Sequence, residues 1–225
     1  IIHAGKDRLF FSDPTDATLI RYSQTRRTGY GPEVSADLPA QYVGAPVVAI
    51  GTLDGAVLAF SSSSVRYFGG TGPLANPDAA PQIGFSATEV VTGDVGCASA
   101  RSLAVTPDRV LFKSDRGLYQ IDRSRQVGYV GAPVEGYNAQ DVTSADPVPG
   151  KTQILFLTDS GSTLLYDYFF GQWSTYTNHE GLDAAVVNNT YHYIRAGAAD
   201  LQVYRSNPDS YLDDTSEIRL HLETA

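Results

Sequence analysis

Histidine, cysteine, serine and clustered acids are the residues of this chain with the most chemistry in them, and their spacing decides what they can do. The four histidines, His3, His179, His192 and His221, are scattered through the 225 residues. A zinc-protease helix needs two histidines four apart with a glutamate between. "NHEG" (178–181) does not supply that, and "TYHYI" leaves His192 alone in a strand-like run, so these read as structural or surface histidines. A serine nucleophile on a strand-to-helix elbow needs Gly-x-Ser-x-Gly, which "TDSGS" (158–162) and "GSTLL" (161–165) lack. The acid clusters "SDPTD" (12–16) and "YLDDTSE" (211–217) do not follow the ligand spacing of an EF-hand, and read as solvated turn carboxylates. Cys97 is the sole cysteine. It has no internal disulfide partner, reads as a small buried hydrophobe and leaves the redox compartment open. "NNT" (188–190) is formally a glycosylation acceptor, but no secretory signal accompanies it.

The turn "TDSGSTLL" compares with the Asp-box of sialidases, Ser-x-Asp-x-Gly-x-Thr-Trp. Asp159, Gly161 and Thr163 match, while Leu157 and Leu164 stand where the box has Ser and Trp. Such boxes staple turns away from the active site even in enzymes. A sialidase also needs an arginine cluster, and nothing in the spacing brings Arg21, Arg26, Arg27 and Arg101 together. The formal net charge of -9 argues against a generic nucleic-acid binder, whose affinity comes mainly from Lys and Arg. It is compatible with a wall past which DNA slides.

The elements that position these residues are strands and tight turns. Counting back from Gly55, Gly117 and Gly161, Val48, Val110 and Ile154 stand seven residues earlier, and Ile50, Phe112 and Phe156 five earlier. This is period-2 alternation, one buried strand face. Four residues after each glycine come Ala59, Ile121 and Leu165, and twelve after come Tyr67, Tyr129 and Trp173, read as core or blade-interface aromatics. Asp54-Gly55 is a favoured hairpin pair, because such turns need positive φ. Fainter copies centre on Asp16, preceded by Leu9 and Phe11, and on Gly197. The anchors at 16, 55, 117, 161 and 197 lie 39, 62, 44 and 36 residues apart. A period of ~40 with several short strands per unit signifies a β-propeller, whose sheets bury both faces by stacking radially. The long step holds "GGTGPLANPDAAP", a loop by composition, and "GFSATEVV", an outer strand.

With these motifs in hand, "GDVGCASARSLAVTPDRVLFKSDRGLYQIDRSRQVGYVG" and "LYDYFFGQWSTYT" resemble the propeller part of short-tailed bacteriophage tail proteins. The relatives are the nozzle, or tail tubular protein B, and the packaged-DNA stabilisation protein. The shared elements are the pair Gly96 and Cys97, the strand start Ser102–Leu103, the hairpin Phe112–Tyr119, and the hairpin bearing Tyr166, Asp167, Trp173 and Ser174. "YLDDTSEIRLHLETA" resembles their segment leading into a further domain. The resemblance spans about residues 45 to 225. It implies a structural virion protein, not an enzyme, standing in the tail after assembly in the host cytoplasm. Copies, six in such rings, would surround a channel below portal and adaptor, through which phage DNA passes without sequence recognition.

The expected fold is therefore all-β: a β-propeller of about five four-stranded blades or partial blades over 1–225, a piece of a longer chain without initiator methionine. An elaborated loop is expected at 69–84 and an exit segment at 206–225. No catalytic, cofactor-binding or metal-ligating residue, no cofactor and no membrane anchoring are expected. The rival readings are a sialidase-type glycosidase and a propeller lectin or interaction domain.

Overall fold

Short runs of 2 to 7 residues, cut by Gly, Asp, Asn and Pro, give the described residues antiparallel strands with almost no helix. The computed structural model describes residues 1–25, 34, 40–72, 84–176, 179, 181–195 and 201–206, and the backbone alone of 196, 212–213 and 216–217. The first sheet is β1 (Ile2–Gly5), β2 (Arg8–Ser12), β3 (Leu19–Tyr22) and β4 (Gln41–Tyr42). The second is β5 (Ala49–Leu53), β6 (Ala56–Phe60), β7 (Val65–Phe68) and β8 (Glu89–Thr92). The third is β9 (Ala104–Val105), β10 (Arg109–Ser114), β11 (Gly117–Asp122) and β12 (Val127–Tyr129). The fourth is β13 (Val142–Pro147), β14 (Gln153–Thr158), β15 (Thr163–Asp167) and β16 (Gln172–Tyr176). The fifth has three strands, β17 (Gly181–Val187), β18 (Thr190–Ala196) and β19 (Leu201–Arg205); a two-stranded pair, β20 (Leu212–Asp213) and β21 (Ser216–Glu217), follows.

Each sheet is a meander in chain order, and the first strands touch in succession, β1 to β5, β5 to β9, β9 to β13 and β13 to β17. This is the arrangement of propeller blades around an axis. Alternation on the second strand of each blade builds the seams. Val57 and Ala59 of β6 face the first blade with Phe10, Ile20 and Tyr22, while Leu58 and Phe60 face the third. Val110 and Phe112 of β10 pack back on the second blade, and Leu111 packs forward on Ile154 and Phe156 of the fourth. Leu155 and Leu157 then meet Tyr191 and Tyr193 of the fifth. The central strands are thus buried on both faces, a consequence of radial stacking rather than of one apolar stripe.

Two expectations need correction. Gly55 closes the first hairpin of its blade, between β5 and β6, whereas Gly117 and Gly161 close the second. First hairpins recur at Lys6–Asp7, Asp54–Gly55 and Asn188–Asn189, each with both residues at positive φ, so any such pair satisfies the turn wherever it falls. Leu9 and Phe11 do not form the packed face of β2. Phe10, fully buried between them, does, because it points to the second blade, while they lie on the opposite face, which no other described sheet covers. The loop at 73–83 and most of 206–225 lie outside the described residues.

Candidate functional site

The sequence motifs gather at the joints between blades. Gly96 crosses the second blade's β6–β7 turn so closely that a Cβ there would stand 2.2 Å from the Ser61 carbonyl oxygen. Beside it, Cys97 N–H donates to that same oxygen at 2.8 Å, and Ala98 N–H donates to Lys113 of the third blade at 2.8 Å. The Cys97 thiol is fully buried, donates to the Ser99 carbonyl at 3.0 Å, and burial pushes its pKa up, so it stays a thiol. Ser102 caps the same crossing, donating to the Ser99 carbonyl at 2.7 Å and accepting from Lys113 N–H. The Lys113 ammonium is buried and donates to the Ser114 and Asn138 carbonyls; burial lowers its pKa.

The Asp-box-like turn is a staple. Asp159 exchanges bonds with Asp141 through its N–H and its carboxylate, Gly161 takes φ +82°, and Thr163, fully buried, donates to the His179 carbonyl at 2.8 Å and bonds the ring Nδ1 at 3.0 Å. In the last shared hairpin Trp173 stacks on Tyr166 with centroids 4.5 Å apart and donates from Nε1 to the Val130 carbonyl of the preceding blade's exit. Asp167 accepts from Phe169 and Phe170 N–H and from Thr152 Oγ1, fixing the turn.

The aromatics at matched places differ in burial. Tyr67 lies on the second seam beneath the Arg125 guanidinium, 4.0 Å from its ring centre, and donates to Glu89. Tyr129 is 38 % exposed on an outermost strand, because β12 has no sheet over its edge.

The remaining chemical side chains stay apart. His3 bonds Thr52 across the first seam, and burial lowers its pKa. His192 bonds the Thr190 carbonyl. Arg21 pairs with Asp13, whose carboxylate also accepts from Thr15 Oγ1 and from the Thr15 and Asp16 N–H groups. These donors, the Thr15 hydroxyl foremost, hold Asp13 well below the usual carboxylate range. Arg101 sits in a 3-10 turn before the third blade, away from Arg21. Arg26, Arg27 and His221 lie outside the described residues. Among the described residues no three His, Cys, Asp or Glu side chains group to hold a metal.

One cluster has no signal in the sequence. At the fourth seam Ser144 of β13 donates to Asp146 at 2.6 Å and accepts from the Ala184 N–H of β17 at 3.3 Å, and that N–H lies 3.0 Å from the Asp183 carboxylate. Burial, then the Asp183 charge, raises the Asp146 pKa, opposed by the Ser144 bond. Tyr191, 3 % exposed, has a hydroxyl with no hydrogen-bond partner, and burial raises its pKa, with Asp146 adding to the shift. Its parts lie about 40 residues apart in the chain, and only the inter-blade register joins them.

No family model and no curated protein matches the chain. Similar solved structures are β-propeller proteins of varied roles. Against BamB from Moraxella catarrhalis the TM-score is 0.58 at 13% identity, covering 93% of this chain and 57% of that one. PorZ, a surface component of the type-IX secretion system of Porphyromonas gingivalis, gives 0.58 at 10% identity, covering 93% and 27%. The extracellular domain of a putative one-component system from B. thetaiotaomicron gives 0.53 at 12% identity, covering 94% and 27%. At such identities the likeness shows the fold alone: this chain is a β-propeller architecture spanning little more than half of the first neighbour's length.

Proposed function

We propose that the chain is a structural assembly module and, more finely, part of the nozzle ring of a short-tailed bacteriophage tail. The observation that carries the reading is the position of the residues shared with those tail proteins. Gly96 and Cys97 clasp the second blade to the third, Ser102 and Lys113 lock that clasp, and Trp173 ties the fourth blade to the third. A motif set spent on blade joints and hairpin turns favours a rigid body over a reactive one. In this reading six copies surround a channel below portal and adaptor, and DNA passes without sequence recognition. The net charge of -9 keeps phosphate from adhering to the wall. The place of action is the virion tail, reached after assembly in the host cytoplasm. Among the described residues no helix is long and apolar enough to cross a membrane.

Negative-stain imaging of the purified full-length protein tests this directly, with rings enclosing a central hole as the expected result. Monomeric particles with saturable hits on a glycan array, or glycan turnover lost on changing one carboxylate, would replace it with the lectin or glycosidase reading.

A further inference from the structure

The hairpin between β15 and β16 ends in Phe169, Phe170 and Gly171, and both phenyl rings stand in solvent, 73% and 69% exposed. Every other phenylalanine of the chain is buried or half-buried, so these two are placed outward against the rule the rest obey. Their rings meet edge to face with centroids 4.9 Å apart. The turn beneath them is closed on itself. The Asp167 carboxylate accepts from Phe169 N–H at 3.1 Å and Phe170 N–H at 3.2 Å, and Gly171, at φ +67°, donates to the Asp167 carbonyl at 2.8 Å. Turns stay in water because their amides need partners there. With these three amides already satisfied, the tip can leave water without stranding them.

Charge is unevenly divided about this tip. Tyr168 N–H donates to the Thr152 carbonyl at 2.9 Å, which lays the turn of exposed Lys151 against it, and the Arg109 guanidinium stands 5.3 Å from the Tyr168 ring centre. Exposed Arg123 reaches the same corner of the third blade, donating to the Pro107 carbonyl at 3.0 Å. In an antiparallel meander the first and third turns share one end. At that end the turns 106–108, 123–126, 148–152 and 168–171 carry Arg123, Arg125 and Lys151 against Asp108 alone, which Arg109 neutralises. The Asp122 and Asp167 carboxylates beside them are occupied by turn amides. At the opposite end of the same blades the exposed acids Asp94, Asp115, Glu135, Asp141 and Asp159 outnumber the exposed Arg101 and Arg116.

We propose that the Phe169–Phe170 tip is a contact for an anionic lipid surface: both rings enter the boundary between headgroups and acyl chains, Lys151 and Arg123 lie against the phosphates, and the acidic end faces away. Such a boundary asks for apolar rings, a closed backbone and neighbouring cations, and all three are present. The contact is peripheral, made by one turn, and spans nothing. It does not depend on the tail reading.

Two rings bind more weakly than a single myristoyl chain, whose constant is ~10⁴ M⁻¹, so the test is cosedimentation of the full-length protein with ~5 mM lipid. The vesicles are sucrose-loaded, roughly three parts phosphatidylcholine to one of phosphatidylglycerol, with pure phosphatidylcholine for comparison. The protein pellets with the anionic vesicles and less with the neutral ones. Phe169→Ser with Phe170→Ser lowers the partition coefficient at least about tenfold, whereas Phe169→Leu with Phe170→Leu keeps it, because the boundary reads apolarity and not ring shape. Lys151→Glu with Arg123→Glu removes the preference for anionic vesicles. All four positions are exposed, so Tm stays unchanged. Failure of the wild type to pellet, or pelleting untouched by the serine pair, overturns the proposal. So does a drop in the mass of the lipid-free protein on the serine change without vesicle binding, since the tip is then a contact between protein chains.

Discussion

At Gly96 the obstacle to a side chain is another part of the backbone: a Cβ would approach Ser61 and Ser62 main-chain atoms to 2.2 and 2.4 Å. Gly55 is the opposite case. Its φ is +73°, and nothing lies within 4 Å of where a Cβ would be. Gly55→Ala therefore carries only the conformational cost of a left-handed residue, about 1 kcal/mol. Gly96→Ala must push two blades apart at a hydrogen-bonded crossing, for about 3 kcal/mol. Urea midpoints at unchanged m-value measure both, and equal losses would mean the crossing yields without strain. The sequence announced the first glycine by its aspartate neighbour. It marked the second only as half of a Gly-Cys pair, because a close approach between segments about 35 residues apart leaves no local pattern.

Strand β10 serves two seams by alternation, and its neighbours separate the effects. Phe112 lies 5.1 Å from Phe60 across the second seam, while Leu111 belongs to the cluster of the third. Truncating either to Ala costs about 3 to 4 kcal/mol. Native-state hydrogen exchange distinguishes them: Phe112→Ala lowers protection chiefly in β6 and β7, and Leu111→Ala chiefly in β14 and β15. Uniform loss across all blades in both variants would show that the seams do not open separately. Period-2 runs made these strands legible from Val110, Phe112, Ile154 and Phe156. Which face of a strand is packed was not legible at the first sheet. There Leu9, Phe10 and Phe11 are all apolar, and only the contact with Val57, Ala59 and Phe68 of the second blade picks Phe10. The seam cluster of Asp146 and Tyr191 was equally hidden, since each residue alone looks like an ordinary strand position.

At the scale of the whole stretch of chain, the first and fifth blades each have one face packed on a neighbouring blade and one face that no other described residue covers. The register places Ile2, Leu9, Phe11, Leu19 and Tyr42 on the open side of the first blade, and Val187, Ile194, Leu201 and Val203 on that of the fifth. Ile2 is 74% exposed, Tyr42 61%, Leu201 68% and Val203 70%. Scattered apolar exposure is ordinary, but contiguous sheet faces of this kind adhere. They are also the two unlike sides of one stacking mode, so in the isolated 225-residue stretch the fifth blade of one copy is expected to meet the first blade of the next as blades meet within the chain. Such a contact is heterologous, the type that generates rings or filaments. Sedimentation of that stretch, expressed by itself, is expected to show its mass rising with concentration. Ile2→Glu with Tyr42→Glu spoils only the first face, Leu201→Glu with Val203→Glu only the fifth, and all four positions tolerate charge because they are exposed. Each double variant alone then stays monomeric. Mixed, the two form a one-to-one complex and nothing larger, because one sound face of each kind remains between them. Dimers formed by either variant on its own would instead mean that like faces pair, and the head-to-tail contact would be wrong.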